Sequence, residues 1–249
     1  MRVDSVALIF LAKLVGIAIT TALMAPAIVV ASAFDARHGY RLSQVWAYVN
    51  LTLTGVHVRA EHRAPLDPSR PYVFMSNHAS HFDVLAVVAA LPDFQLRWVA
   101  KRELLDIPIF GWALRRAGHI IIDRSNPEQA VASLRAARAQ METGVSVMIF
   151  PEGTREGHDH ELLPLKKGGF MLAIETGVPI VPIAVRGSRA ILPRDDWRIH
   201  GGEMEVIVGD AIEVASEDRE ALMRRVQAFF SRELGYQQPP ALRLVAERR

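Results

Sequence analysis

Hydrophobic positions along the chain follow two patterns. From Leu14 to Phe34, LVGIAITTALMAPAIVVASAF, no residue is charged over 21 positions, close to the ~20 that a helix rising ~1.5 Å per residue needs to cross a hydrocarbon core. Residues 1–40 therefore read as a hydrophobic membrane anchor. Lys13, with Arg2 and Asp4, sets off the preceding SVALIFLA as a short companion lying in the membrane interface, and Pro26 predicts a kink. Two other readings stay open. Ala31, Ser32 and Ala33 form an A-x-A-like cleavage site, as in a signal peptide, although the run exceeds the usual h-region of ~7–15 residues and Asp4 spoils a basic n-region. A buried core helix would be equally apolar.

Beyond Arg37 the pattern changes to short Val- and Ile-rich runs separated by amphipathic segments. Six runs predict buried strands: YVFM at 72, LRWVA at 96, HIIID at 119, VSVMIF at 145, IVPIAV at 180 and MEVIVG at 204. One helix opens at SNPEQA, with Asn126 as cap, Pro127 in the first position and Glu128 favoured by the dipole, and runs to Gly144. Another follows Ser216 and places Leu222, Met223, Val226, Phe229, Phe230 and Leu234 on one face. The alternation predicts an α/β domain over residues 41–236, a central mostly parallel or mixed sheet flanked by helices. Residues 237–249, QQPPALRLVAERR, form a fraying tail.

Composition narrows the chemistry. With 29 Lys and Arg against 27 Asp and Glu the net charge is +2, too small to argue for nucleic acid. Zero cysteines exclude a disulfide framework, a thiolate zinc site, an iron–sulfur cluster and a cysteine nucleophile together. The nearest approach to a G-x-S-x-G elbow, GVSVM, lacks the second glycine and falls in a predicted strand.

Polar residues gather where strands end: SNHASHFD after one, DRSN after another, FPEGTREG after a third. The carboxyl ends of strands are where α/β sheets place their sites. Each segment has a plainer reading, since a loop histidine can cap a helix and PEG is ordinary turn chemistry. His78, His81 and Asp83 spell HxxHxD, which could also be a two-histidine, one-carboxylate metal site.

The four blocks together resemble the glycerolipid acyltransferase family that includes lysophosphatidic acid acyltransferases. They are NHASHFD with HxxxxD at His78 and Asp83, KRELLDIPIFGWALRRAGHIIIDR ending at Arg124, FPEGTR at Phe150 to Arg155, and GVPIVPIAV. They cover roughly residues 70–190. HxxxxD alone is weak and FPEGTR fairly specific; the order and spacing of all four are strong.

Moving an acyl group from a thioester to an alcohol needs a base for the hydroxyl proton. His78 is the candidate, with Asp83 holding the other ring nitrogen and stabilising the imidazolium. On a continuous helix these side chains would stand about 140° apart at about 100° per residue, so contact requires His78 in the loop and Asp83 at the opening of the helix DVLAVVAAL. The resemblance implies a metal-free pair and leaves His81 a variable position. It further implies that Arg124, Glu152, Arg155 and Lys101 help bind the phosphate and glycerol moiety, alongside Gly153 and Thr154 of the same block. The plainer reading of any one cation is a solvated surface charge.

The implied activity is transfer of a fatty acyl group from acyl-CoA or an acyl-carrier protein to lysophosphatidic acid, giving phosphatidic acid without a cofactor. The implied partners are those substrates and a membrane bilayer, at the cytoplasmic face of the bacterial inner membrane. Within the class, the acceptor could be another lysolipid or glycerol 3-phosphate. From other classes, a metal-dependent lipid phosphoesterase using His78, His81 and Asp83 remains open, as does a membrane scaffold.

Overall fold

The residues described by the computed structural model, 5–122, 127–155, 162–215 and 217–235, build a seven-stranded sheet with helices on both faces. The strands are β1 (Val56–His62), β2 (Val73–Ser76), β3 (Leu96–Lys101), β4 (Ile120–Ile122), β5 (Ser146–Ile149), β6 (Ile180–Arg186) and β7 (Gly202–Val208). They lie in the order β1-β7-β6-β2-β5-β3-β4. Every neighbouring pair is parallel except β6 with β7. The expected mixed α/β sheet and its six strands are present. β1 is the addition: VHVRAEH is an edge strand exposed over most of its length, so its charged residues hide the period.

Two-residue alternation decides which core each side chain enters. Val73, Met75, Val147, Ile149, Ile180 and Ala184 pack into one cluster with α5 (Pro127–Met141), α6 (Gly168–Thr176) and α8 (Arg219–Leu234). Phe74, Met148, Val181, Ile183 and Val185 point the other way, toward α2 (Ala36–Thr54) and α3 (Phe82–Ala90). A sheet covered on both faces must be apolar at consecutive positions, which is why β2 and β5 read as unbroken runs. Each such Val, Ile, Met or Phe side chain contributes about 1.5–3 kcal/mol by leaving water.

Helix ends follow the expected chemistry where they are described. Pro127 opens α5, with its proposed cap Asn126 outside the described residues. α8 is capped by Asp218, whose carboxylate accepts from the Ala221 amide, and closes at Gly235 with φ +69°. Ser216 lies outside the described residues.

The N-terminal region departs from expectation in two respects. SVALIFLA is no separate companion; it is the start of one continuous helix, α1 (Ser5–Phe34), which also runs through Pro26. Lys13 does not divide the helix because its ammonium turns toward the domain and donates to the Ile199 carbonyl at 3.1 Å. Among the described residues α1 is the one helix long and apolar enough to cross a membrane, with mean hydropathy 2.3 and none of its most apolar stretch buried. Second, α2 turns back along α1, bridged by Thr20 to Asn50 at 2.8 Å and Trp46 to Thr21 at 3.1 Å. The boundary drawn after residue 40 falls inside α2.

Candidate active site

Four adjacent parallel strands, β2, β5, β3 and β4, deliver their carboxyl ends to one edge of the sheet. The loops after β2 and β5 carry His78 and the Phe150–Arg155 block, and Lys101 ends β3. Arg124, two residues beyond β4, lies outside the described residues.

His78 stands in the loop and Asp83 in the first turn of α3, so the chain bends between them as the contact requires. Asp83 is fully buried, and its Oδ2 accepts three hydrogen bonds: from His78 Nδ1 at 2.8 Å, the Ala79 amide at 2.7 Å and the Ser80 amide at 2.8 Å. Two main-chain donors and the positive end of a helix thus hold the carboxylate before the imidazole is counted. A carboxylate at Nδ1 places the ring proton there and leaves the lone pair on Nε2. The imidazole lies flat on Phe150, with centroids 3.9 Å apart and planes 11° apart, and Trp98 packs against Phe150 at 5.6 Å. This stack fixes the ring's rotation about its bond to Asp83.

The loop itself is tied down at three points. Asn77 continues the β2–β6 pairing with its side chain, donating to the Val185 carbonyl at 3.0 Å and accepting from the Val185 amide at 2.8 Å. Ser80 donates its hydroxyl to the Leu192 carbonyl at 2.9 Å. Glu152, buried after β5, accepts from the His78 amide at 2.9 Å and the Leu163 amide at 3.1 Å. Gly153 follows at φ +76°, its amide donating to the Phe150 carbonyl at 2.9 Å, a turn in the left-handed region that favours glycine.

Thr154 and Arg155 are half-buried beside this turn, and Lys101 is exposed. His81 sits at the N-cap of α3 with an accessible edge. Loss of hydration to the surrounding atoms, then repulsion from Arg155 and His78, pushes its pKa down to about 4. No group of three or more His, Asp or Glu side chains placed to hold a metal ion occurs among the described residues.

Sequence reasoning did not assign tasks to Phe150 and Asn77, although both stand inside the quoted blocks. A polar residue directly after a fully apolar strand could have flagged Asn77. Nothing local signals that Phe150 meets a ring 72 positions earlier in the chain (150 − 78 = 72).

A family model described as acyltransferase matches residues 55–186, more than half of the chain. The 1-acyl-sn-glycerol-3-phosphate acyltransferase alpha of Homo sapiens is 39% identical over 154 residues, 61% of this chain and 53% of that protein. The chloroplastic 1-acyl-sn-glycerol-3-phosphate acyltransferase LPAT1 of Arabidopsis thaliana is 30% identical over 179 residues, 71% of this chain and 49% of that one. The chain thus spans about half the length of the curated relatives it matches. In three dimensions it is similar to the crystal structure of the 1-acyl-sn-glycerophosphate (LPA) acyltransferase PlsC from Thermotoga maritima, with TM-score 0.77 at 22% identity, covering 94% of this chain and 98% of the other. The matched segment contains the strand-end loops and the His–Asp contact described above, and the chain belongs to the acyltransferase family.

Proposed function

We propose that this chain transfers a fatty acyl group from an acyl-CoA or acyl-carrier-protein thioester to the free hydroxyl of a 1-acyl-sn-glycerol-3-phosphate, giving phosphatidate. The observation that carries the reading is the buried Asp83 holding Nδ1 of His78 at 2.8 Å, which aims a basic Nε2 away from the carboxylate. The printed activity of the relatives supplies the acceptor class.

The chain's residues divide the work as follows. Nε2 of His78 takes the proton of the acceptor hydroxyl as its oxygen attacks the thioester carbonyl, and Asp83 balances the imidazolium that forms. Collapse of the tetrahedral intermediate breaks the carbon–sulfur bond, and the leaving thiolate takes the proton from Nε2. The reaction closes with one ester made, one thioester broken and the histidine restored. Arg155 and Thr154, with Lys101 and Arg124, hold the acceptor's phosphate and glycerol; a guanidinium fork suits phosphate oxygens. A carboxylate facing that phosphate would repel it, so Glu152 supports binding through the His78 and Leu163 amides it holds. Gly153 lets the main chain approach the acceptor closely. α1 and α2 keep the sheet at a bilayer that contains the lysolipid, on the cytoplasmic face of a bacterial inner membrane where the thioester donors are made.

The test is a turnover assay with lysophosphatidate and acyl-CoA or acyl-carrier-protein thioester on the protein in detergent. His78→Ala is expected to lower the rate about 10²- to 10⁴-fold while the thermal melt stays within a few degrees. Activity within a factor of a few of wild type would remove His78 as the base.

A further inference from the structure

The opposite edge of the sheet carries a charge that no carboxylate among the described residues neutralises. Arg97, the second residue of β3, is 7% exposed. Its one hydrogen bond among the described residues runs from Nη1 to the carbonyl of its neighbour Leu96 at 3.1 Å, and no described carboxylate pairs with it. A guanidinium has five donors, and burying most of them unused forfeits hydration with no return. Burial accordingly lowers its pKa.

The surroundings are suited to an anion. A cavity of about 250 Å³ is lined by Arg97, Arg116, Ser32, Gly118, Gln140 and Thr143, with no carboxylate among the described residues of its wall. Arg116 is exposed and makes no ion pair among the described residues. A Cβ at Gly118 would stand 3.5 Å from Arg97 Nε and 3.8 Å from Gln140 Nε2, so glycine leaves both nitrogens uncovered. Gln140 Nε2 spends one hydrogen on the Gly118 carbonyl at 2.9 Å and keeps the other. Two cations and an amide are groups that recognise phosphate oxygens.

We propose that this cleft, where the α1–α2 turn meets the amino-terminal edge of β3, is a second, non-catalytic site for a phosphate-class oxyanion held by Arg97 and Arg116. It lies at the end of β3 opposite Lys101, so it is distinct from the His78 edge. Its occupant is either the headgroup phosphate of an anionic lipid, reached beside the apolar α1, or a free phosphate or pyrophosphate.

Thermal unfolding of the full chain distinguishes these sources. One arm titrates inorganic pyrophosphate in a neutral detergent at constant ionic strength; the other compares phosphatidylcholine bicelles with and without phosphatidylglycerol. Saturation of a site at about 100 times its Kd is expected to raise Tm by roughly 5 °C or more for a chain of this size. A shift with pyrophosphate alone assigns a soluble anion, and a shift with phosphatidylglycerol alone assigns a lipid headgroup. Arg97→Met is expected to abolish the shift and Arg116→Gln to weaken the apparent Kd about 10-fold. Each of these shifts is read in a Lys101→Ala, Arg124→Ala, Arg155→Ala background, which removes the phosphate-holding cations proposed at the other edge and is expected to keep the shift. A wild type with no shift in either arm overturns the site, as does a shift that survives Arg97→Met. Should Arg97→Met not fold, Arg116→Gln decides, because its side chain is exposed: an unchanged Kd overturns the proposal.

Discussion

The two edges of the sheet treat buried charge in opposite ways. Where β2 and β5 end, Asp83 accepts three hydrogen bonds through one oxygen, and each oxygen of Glu152 accepts a main-chain amide. Where β3 begins, Arg97 makes a single bond among the described residues, to the carbonyl of its neighbour. Anions held by main-chain donors stay in place without a ligand, even with Oδ1 of Asp83 buried and unpartnered, and they preorganise whatever they touch, here the imidazole of His78. A buried cation left with spare donors is complete only when something else supplies oxygens. The first arrangement suits a step in which a proton must move along a fixed line, the second a site that binds and releases.

Asp83→Asn breaks the catalytic edge most directly. The amide keeps the shape but cannot balance an imidazolium, and it can present its NH₂ to Nδ1, stabilising the wrong tautomer. Turnover is expected to fall on the order of 10³- to 10⁴-fold, as large as the loss from His78→Ala. The double variant should then lose little more than either single one, because the two side chains act as a unit. A double variant whose loss is the product of the two would separate their roles.

Arg155→Ala tests the other charge at this edge. Arg155, unlike Arg97, is half-buried with no hydration forfeited outright. Losing one charge-assisted contact of about 1.5–3 kcal/mol is expected to reduce kcat/KM on the phosphate-bearing acceptor about 10- to 100-fold, and to change a neutral monoacylglycerol analogue far less. Equal losses on both acceptors would give Arg155 a role in shaping the loop instead.

Glu152→Gln sharpens the contrast between edges through stability. Its carboxylate spans loops 11 and 74 residues away in the chain. The glutamine must turn an NH₂ toward one of two amide donors, leaving that amide buried without a partner. Stability is expected to fall by about 1–3 kcal/mol, seen as a lower denaturation midpoint, with turnover falling in proportion to the disorder brought to His78. No change in midpoint would mean that water replaces the carboxylate at no cost.

How much of this was legible depended on sequence separation. His78 and Asp83 are five residues apart, so the need for a turn followed from helix geometry alone, and the structure has that turn. Strands buried on both faces were visible because Val73, Phe74 and Met75 need no period to look apolar. β1 and α2 were not visible. β1 is an edge strand whose Arg59 and Glu61 break any alternation, and α2 mixes Tyr40, Ala47 and Leu51 in its buried face with Arg, Ser and Gln elsewhere. Lys13 misleads because a charge inside an apolar run resembles a helix boundary, whereas its long stem carries the ammonium to the Ile199 carbonyl. The Phe150 stack, the Glu152 strut and the isolation of Arg97 all depend on what the fold brings near, which no local pattern records.

The smallest expected effect belongs to His81, the histidine that the family resemblance leaves a variable position. Its pKa is pushed down from 6.5 to about 4, first by lost hydration and then by Arg155 and His78, so above that value the ring is neutral and the proton it would take up is disfavoured by the fold. The unfolded chain binds that proton near pH 6.5 while the folded one resists it until about pH 4; stability from this group is therefore present above 6.5 and lost as pH falls through that window. His81→Gln, which keeps a neutral polar side chain at every pH, is expected to make the acid side of a stability-versus-pH curve shallower between those two values. Turnover at neutral pH should stay within a factor of a few of wild type, since the general-base step uses one imidazole. Because the residue's edge is open to solvent, the change in slope will be modest, and chemical denaturation at pH 7, 5.5 and 4 resolves it. An unchanged acid limb would mean that His81 takes up its proton as freely folded as unfolded, and a collapse of turnover would place a second imidazole in the reaction.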